Sequence, residues 1–197
     1  MKINILGGGI AGLASSIFLS KQGHEVTIVE RNDYINELGA GIQITPNAIR
    51  VLDALGIRND FINLAEQSTS LSIRRAENSA LLQKVSMHRL VKDTKVGFYY
   101  LHRHKLLNLL KDNAIKNKVK IISNQYINKI IITKDNVRIC SNDIEYDSDI
   151  LIGADGLNSI SRKKLNEDYM PKYSGFCAFR TITTLDESVD KFLYEPN

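Results

Sequence analysis

Four residues near the amino terminus have the types and spacing to hold a dinucleotide. Gly7, Gly9 and Gly12 form G-x-G-x-x-G, and Glu30 stands 18 positions beyond the last of them. In such a pattern the first glycine permits a tight turn. The second lets the backbone reach a pyrophosphate with no Cβ in the way, and the third lets a helix lie close on a strand. The amino end of that helix, with roughly half a unit of positive charge, would face the two phosphates. A carboxylate at Glu30 could accept both ribose hydroxyl hydrogens, which suits NAD or the adenosine half of FAD and disfavours a 2′-phosphate. No G-K-[ST] follows, so a P-loop is excluded.

The elements around these residues are the ones this chemistry requires. "KINIL" is a short strand-like run that stops at Gly7. Ile10, Leu13, Ala14 and Ile17 then recur at helical spacing, predicting a helix from about Ile10 to Gln22 with Gly23 closing it at C′. "EVTIVE" is a second strand, so the opening reads as one βαβ unit. The same stretch, uncharged from Ile3 to Ser20 behind Lys2, is also how an export signal or a membrane span begins. Its 18 residues include four glycines, three serines and one asparagine, which make a poor spanning helix. Cleaving it would deprive "EVTIVE" of its neighbouring strand.

Further along, "TPNAIRVLDALGI" predicts a helix with Thr45 as N-cap, Pro46 at its first position, Gly56 past its end and Ile49, Leu52 and Leu55 inward. "SLSIRR" and "ALLQKVS" predict a hairpin. A helix from about Arg103 to Lys116 turns Leu106, Leu107, Leu110 and Ala114 inward and lysines outward. "VKIIS", "YINKIIIT", "VRICS" and "DIEY" predict short strands with "KDN" and "ND" as turns. "SDILIGADG" reads as a buried strand ending in a glycine turn, "LNSISRKKL" as the helix after it, and "YSGFCAFRTITT" as a strand with no partner left.

Composition narrows the class. Of 197 residues 43% are hydrophobic and 24% charged, as in an ordinary soluble protein. The net charge of +4 comes from dispersed lysines and arginines, without an RNA-binding motif or a basic recognition helix, so nucleic acid is not the expected partner. Cys140 and Cys177 lie far apart, which indicates neither a disulfide framework nor a zinc site and fits a reducing cytoplasm. Cys177 reads as a small core residue. His102 and His104 flank Arg103 on opposite sides of an extended segment, which argues against joint metal ligation.

The glycine fingerprint alone leaves NAD and FAD open. In a plain NAD fold another helical crossover would follow soon, whereas here short antiparallel strands precede "ILIGADG". With "GGGIAGL", "VERND", "GAGIQITPNAIRVLDALGI", "LHRHKLL" and "DILIGADGLNSISR" in that order, the chain resembles the FAD-dependent aromatic-ring hydroxylases, single-component flavoprotein monooxygenases similar to salicylate hydroxylase. The resemblance covers essentially the whole chain. It implies an α/β fold: a Rossmann-like FAD-binding fold, βαβ with a β-meander, plus an incomplete β-rich substrate domain. The FAD-binding domain would comprise 1–69 and 100–168, and the partial substrate domain 70–99 and 169–197.

The resemblance also implies roles. Gly7, Gly9, Ile10, Ala11 and Gly12 would meet the FAD pyrophosphate, and Glu30 and Arg31 the adenosine end. The backbone from Gly39 through Gly41 and Ile42 would lie beside the flavin ring. Arg103 would reach the ribityl and phosphate region, the competing reading being a surface ion pair or a helix start. Asp155 and Gly156 would contact FAD, and Asp155 with Arg162 would meet NAD(P)H, the competing reading being a simple Asp-Gly turn. The implied reaction is NAD(P)H-driven hydroxylation of a small aromatic or conjugated molecule with O₂, the cofactor carrying the redox chemistry. No catalytic base can be named from these residues.

The family also carries a late Gly-Asp fingerprint, followed by proline and glycine, which is not found before "YEPN". The expectation is therefore the amino-terminal part of a monooxygenase, working with a second chain that supplies the remainder and retaining FAD weakly or not at all alone. A catalytically inactive nucleotide-binding remnant and a small NAD-binding protein are the alternatives.

Overall fold

The computed structural model describes residues 1–33, 40–90, 96–142, 144–166 and 170–178. It opens with β1 (Lys2–Leu6), α1 (Ile10–Lys21), β2 (Glu25–Val29), β3 (Gly41–Ile44), α2 (Pro46–Ala54) and α3 (Arg58–Ile62). There follow β4 (Glu66–Ser68), β5 (Ser70–Arg74), β6 (Leu81–Ser86), α4 (Met87–Leu90), β7 (Phe98–His102) and α5 (Arg103–Lys116). The described part closes with β8 (Lys120–Ile122), β9 (Lys129–Ile132), β10 (Val137–Cys140), β11 (Glu145–Ser148), β12 (Ile150–Gly153) and α6 (Ile160–Leu165).

The central sheet is parallel, in the order β12-β1-β2-β8. From β1 the chain steps to β2 on one side, and much later β12 enters on the other, Ile3 facing Val26 and Ile150 in register. Ligands of open α/β sheets bind outside the carboxyl ends of the strands where the order reverses in this way. β1 is buried from Ile3 to Leu6 without polar alternation, because both faces of a parallel sheet are covered. Ile3, Ile5, Val26 and Ile28 pack with Leu13 and Ile17 of α1 and with Leu106 and Leu110 of α5. On the opposite face Leu6 and Val29 meet Ile130 and Ile139 of the antiparallel meander β9-β10-β11 and Ile127 just ahead of it. Asn4, buried on β1, donates from Nδ2 to the Tyr146 carbonyl at 3.4 Å and so ties the two sheets together.

Most local expectations hold. Thr45 stands at the N-cap position of α2 with Pro46 behind it, although its hydroxyl bonds the Asn47 side chain and makes no cap hydrogen bond. Gly23 and Gly56 have φ of +84° and +72° past α1 and α2. Ile49, Leu52 and Leu55 are buried, as are Leu106, Leu107, Leu110 and Ala114 on α5. β5 and β6 pair antiparallel as the expected hairpin. The second antiparallel sheet, β3-β7-β4, sits β7 between strands far apart in sequence.

Four expectations are corrected. His102 ends β7 and His104 lies in the first turn of α5, so their rings tilt together with centroids 5.4 Å apart. The two-residue alternation of a strand stops where the helix begins at Arg103. Tyr126, Ile127 and Asn128 are not part of β9, because the chain first crosses the tip of β2, where the Gln125 N–H donates to the Glu30 carbonyl at 3.0 Å. Residues 173–178 of the "YSGFCAFRTITT" segment form no strand, and 179–184 lie outside the described residues. A strand needs a neighbour to pair its backbone groups, and none adjoins this segment among the described residues. Cys177 is accordingly exposed, its Sγ 3.1 Å from the Tyr173 hydroxyl, rather than in the core.

Candidate functional site

An open cleft lies at the carboxyl ends of β1, β2 and β12, walled by Gly7, Gly8, Gly9, Glu30, Arg31, Arg103 and Asp155. Backbone bonds beyond the strand ends fix its floor. Gly7 donates to the Val29 carbonyl at 2.9 Å and Ala154 to the Leu6 carbonyl at 2.8 Å. The three tips therefore end level with one another.

Each glycine of the fingerprint has a distinct spatial reason. Gly7 has φ +105°, and a Cβ there would run into the Ala154 carbonyl of the neighbouring strand. A Cβ on Gly12 would overlap the Gly7 carbonyl oxygen, so α1 can approach the turn this closely only without a side chain. At Gly9 an added Cβ would meet nothing within 4 Å. Packing does not require a glycine at that position, and the space a side chain would fill opens into the cleft. Gly9 is also the N-cap of α1, with no side-chain cap bond and no acid in the first turn. The helix amino end thus presents backbone donors where an anion could take them.

Glu30 points into this cleft. Its Oε2 accepts the Gly8 N–H at 2.6 Å and its Oε1 accepts the Asn32 N–H at 2.9 Å. Each carboxylate oxygen has a second lone pair, so two further donors can be accepted, the number that a ribose 2′,3′-diol offers. The glycine loop and the acid are thereby one unit, and the fit to an adenosine diphosphate moiety is good.

The other sequence-derived residues are placed as follows. Arg31 follows Glu30 on the exposed rim of the cleft. Ile10 and Ala11 head α1, and Ala11 also borders a neighbouring groove with Asp155 and Arg162. Arg103 both starts α5 and lines the cleft, and its N–H donates to the Ala40 carbonyl at 3.0 Å. Gly41 and Ile42 pair with His102 and Leu101 beside it, but they do not line the cleft of the glycine loop. Gly39 lies outside the described residues.

Asp155 and Gly156 form a turn that is closed on itself. The Asp155 Oδ1 accepts both the Ser159 and the Ser161 hydroxyls at 2.6 Å, and Oδ2 accepts the Ser161 N–H at 3.1 Å. Burial presses this carboxyl upward, but those hydrogen bonds outweigh burial and hold it below the usual carboxylate range. Gly156 has φ +75°, and the Arg162 guanidinium donates to the Gly156 carbonyl at 3.2 Å. Ser159 caps α6 by accepting the Arg162 N–H at 2.9 Å. Sequence reading missed Ser159 and Ser161, although a serine ahead of a short helix is a recognisable cap signal. It also missed Gln125 and Tyr126 beside Glu30, for which no local signal exists. Among the described residues no group of three or more His, Cys, Asp or Glu could hold a metal, and no helix is long and apolar enough to cross a membrane.

A family model described as "FAD binding domain" matches residues 1–195. The 3-hydroxybenzoate 6-hydroxylase of Klebsiella oxytoca is 29% identical over 193 residues, which are 96% of this chain and 48% of that protein. The 3-amino-4-hydroxybenzoate 2-monooxygenase of Streptomyces cremeus is 28% identical over 184 residues, 92% of this chain and 46% of that protein. Among solved structures, p-nitrophenol 4-monooxygenase PnpA from Pseudomonas putida superposes with a TM-score of 0.75 at 22% identity, covering 83% of this chain and 43% of that one. This chain spans less than half the length of the curated relatives it matches.

Proposed function

Because the chain belongs to the FAD binding domain family, we propose that it holds FAD in the cleft at the tips of β1, β2 and β12. It would form the cofactor-binding part of an NAD(P)H-driven monooxygenase of small aromatic molecules. The observation that carries this reading is the uncapped amino end of α1, facing space that Gly9 leaves open, beside a carboxylate with two lone pairs to offer. The backbone of Gly7 to Gly12 would bind the pyrophosphate, Glu30 the ribose diol, and Arg31 the outer adenosine face. Arg103, also lining the cleft, would neutralise phosphate charge and reach toward the flavin, with Gly41 and Ile42 close by. Asp155 and Gly156 would shape the wall between FAD and a reductant bound near Arg162. Once bound, FAD would supply the chemistry, taking two electrons from NAD(P)H so that O₂ gives one oxygen to the ring and one to water.

Two named relatives act on hydroxylated benzoates, which favours an electron-rich aromatic ring as the substrate class. The chain's span of less than half of such relatives leads us to place the remaining polypeptide, as a further segment or a second chain, against β12. The outer edge of β12 has no strand partner among the described residues, and an apolar groove lined by Phe18, Val51, Leu55 and Ile152 runs beside it. The compartment would be a reducing cytoplasm.

Desalted protein titrated with FAD tests the reading. FAD should bind reversibly and raise the unfolding temperature, weakly enough to be lost on desalting. Protection by NAD but not by FAD, or by neither, would overturn it.

A further inference from the structure

The cleft has a wall that none of the residues assigned above explains. Beyond β8 the chain turns at Asn124, with φ +58°, and Gln125 donates its N–H to the Glu30 carbonyl at 3.0 Å. Glu30 in turn donates its own N–H to the Ile122 carbonyl at 2.8 Å. Residues 122 to 125 are therefore clamped around the one residue that carries the candidate ribose acid. The next two side chains diverge. Ile127 is 5% exposed and packs with Leu6 and Val29 under the sheet, which anchors the segment. Tyr126 is 69% exposed and lines the cleft with Glu30, Arg31 and Asn32. A large aromatic ring is thus carried between a hydrogen-bonded residue and a packed one on the wall of the cleft, with most of its surface open to water.

We propose that Tyr126 is the adenine platform of this site, its ring stacking on the base whose ribose Glu30 holds. The proposal rests on the FAD-site reading above and adds a residue to it. An adenine attached to a ribose at Glu30 would lie among the residues that line the cleft with Glu30, and Arg31, Asn32 and Tyr126 are three of these. An aromatic face accepts a purine through stacking without reading its edges, worth about tenfold or more in affinity. Stacking of this kind acts on the base, so only ligands carrying adenine should feel the residue.

The test uses the full chain and two probes, ADP and FMN. ADP carries adenosine and a diphosphate, whereas FMN lacks the base. Titration calorimetry of Tyr126→Ala should show ADP binding weakened about tenfold, with Tyr126→Phe close to the parent and FMN binding equal in all three proteins. Circular dichroism shows that each variant is folded, and the phenylalanine variant separates stacking from loss of the hydroxyl. Equal ADP affinity in the parent and Tyr126→Ala would overturn the platform while leaving the FAD site standing. A loss in Tyr126→Ala that extends equally to FMN would also overturn it, marking the residue as a support of the whole cleft. Failure of the parent protein to bind ADP or FAD would overturn both readings together.

Discussion

Two strand-to-helix turns sit side by side in this molecule, one after β1 and one after β12, and they dispose of their polar groups in opposite ways. After β1, the glycine turn delivers α1 without a side-chain cap, so the helix amino end is left to whatever occupies the cleft. After β12, the Asp155 carboxylate takes two hydroxyls and an N–H from its own turn, and Ser159 caps α6. Neighbouring tips of one sheet thus hold an open donor array and a self-satisfied one. A helix amino end is an anion site only when the chain withholds its own cap. The Asp-Gly turn contributes shape to the cleft, and its carboxylate is already engaged.

This contrast can be broken most forcefully at Gly12. A Cβ there meets backbone, the Gly7 carbonyl oxygen, which cannot rotate away. Gly12→Ala should destabilise the fold by about 3 kcal/mol, read as a lower urea midpoint, and should abolish nucleotide binding with it. Next in size is Glu30→Gln. Its amide keeps the shape but turns one acceptor into a donor facing an N–H, and it removes the charge. ADP affinity should fall by about 2 kcal/mol, near thirtyfold, with the urea midpoint moving far less. The second turn should give the reverse pattern. Ser159→Ala removes the α6 cap and one bond to Asp155, so stability should drop by about 1 kcal/mol while ADP binding stays at the parental value. A matching loss of ADP affinity would mean that the two turns are not separate devices.

The smallest effect is in acid. Asp155 is held below its ordinary range in the folded chain, despite burial, by Ser159 and Ser161. A carboxyl with a depressed folded pKa stabilises the fold above its unfolded value, near 4, and loses that contribution as pH falls through the folded value. Asp155→Asn should therefore be less stable than the parent at neutral pH, with the gap closing below about pH 4. Urea midpoints of both proteins across that range check this. A gap independent of pH would show that the carboxylate's charge is not what the serines hold.

How much of this could be read beforehand follows from how local each cause is. The βαβ opening and the three glycines were legible because a turn, a close helix and an open approach each restrict residue type at a fixed offset. The N-cap position at Thr45 and the stops at Gly23 and Gly56 were legible for the same reason, although the Thr45 hydroxyl makes no cap bond. The histidine pair was misjudged because strand alternation was carried one residue past the place where α5 begins. Cys177 was assigned to a core that its segment does not build among the described residues. The acid's partners were illegible for another reason: Gln125 reaches Glu30 across the whole of β3 to β8, and nothing in "SNQYIN" announces that contact.

The parallel pairing of Ile3 with Ile150 has a consequence for biosynthesis. A ribosome will have released β1, α1 and β2 long before β12 emerges, so the nascent chain must carry β1 with one flank bare during most of translation. Such a late closure, across nearly 150 residues, slows folding and leaves an edge for chaperones or for stray strands. Cofactor capture must then wait for the last strand of the cleft, which makes it a step that follows synthesis of nearly the whole described chain.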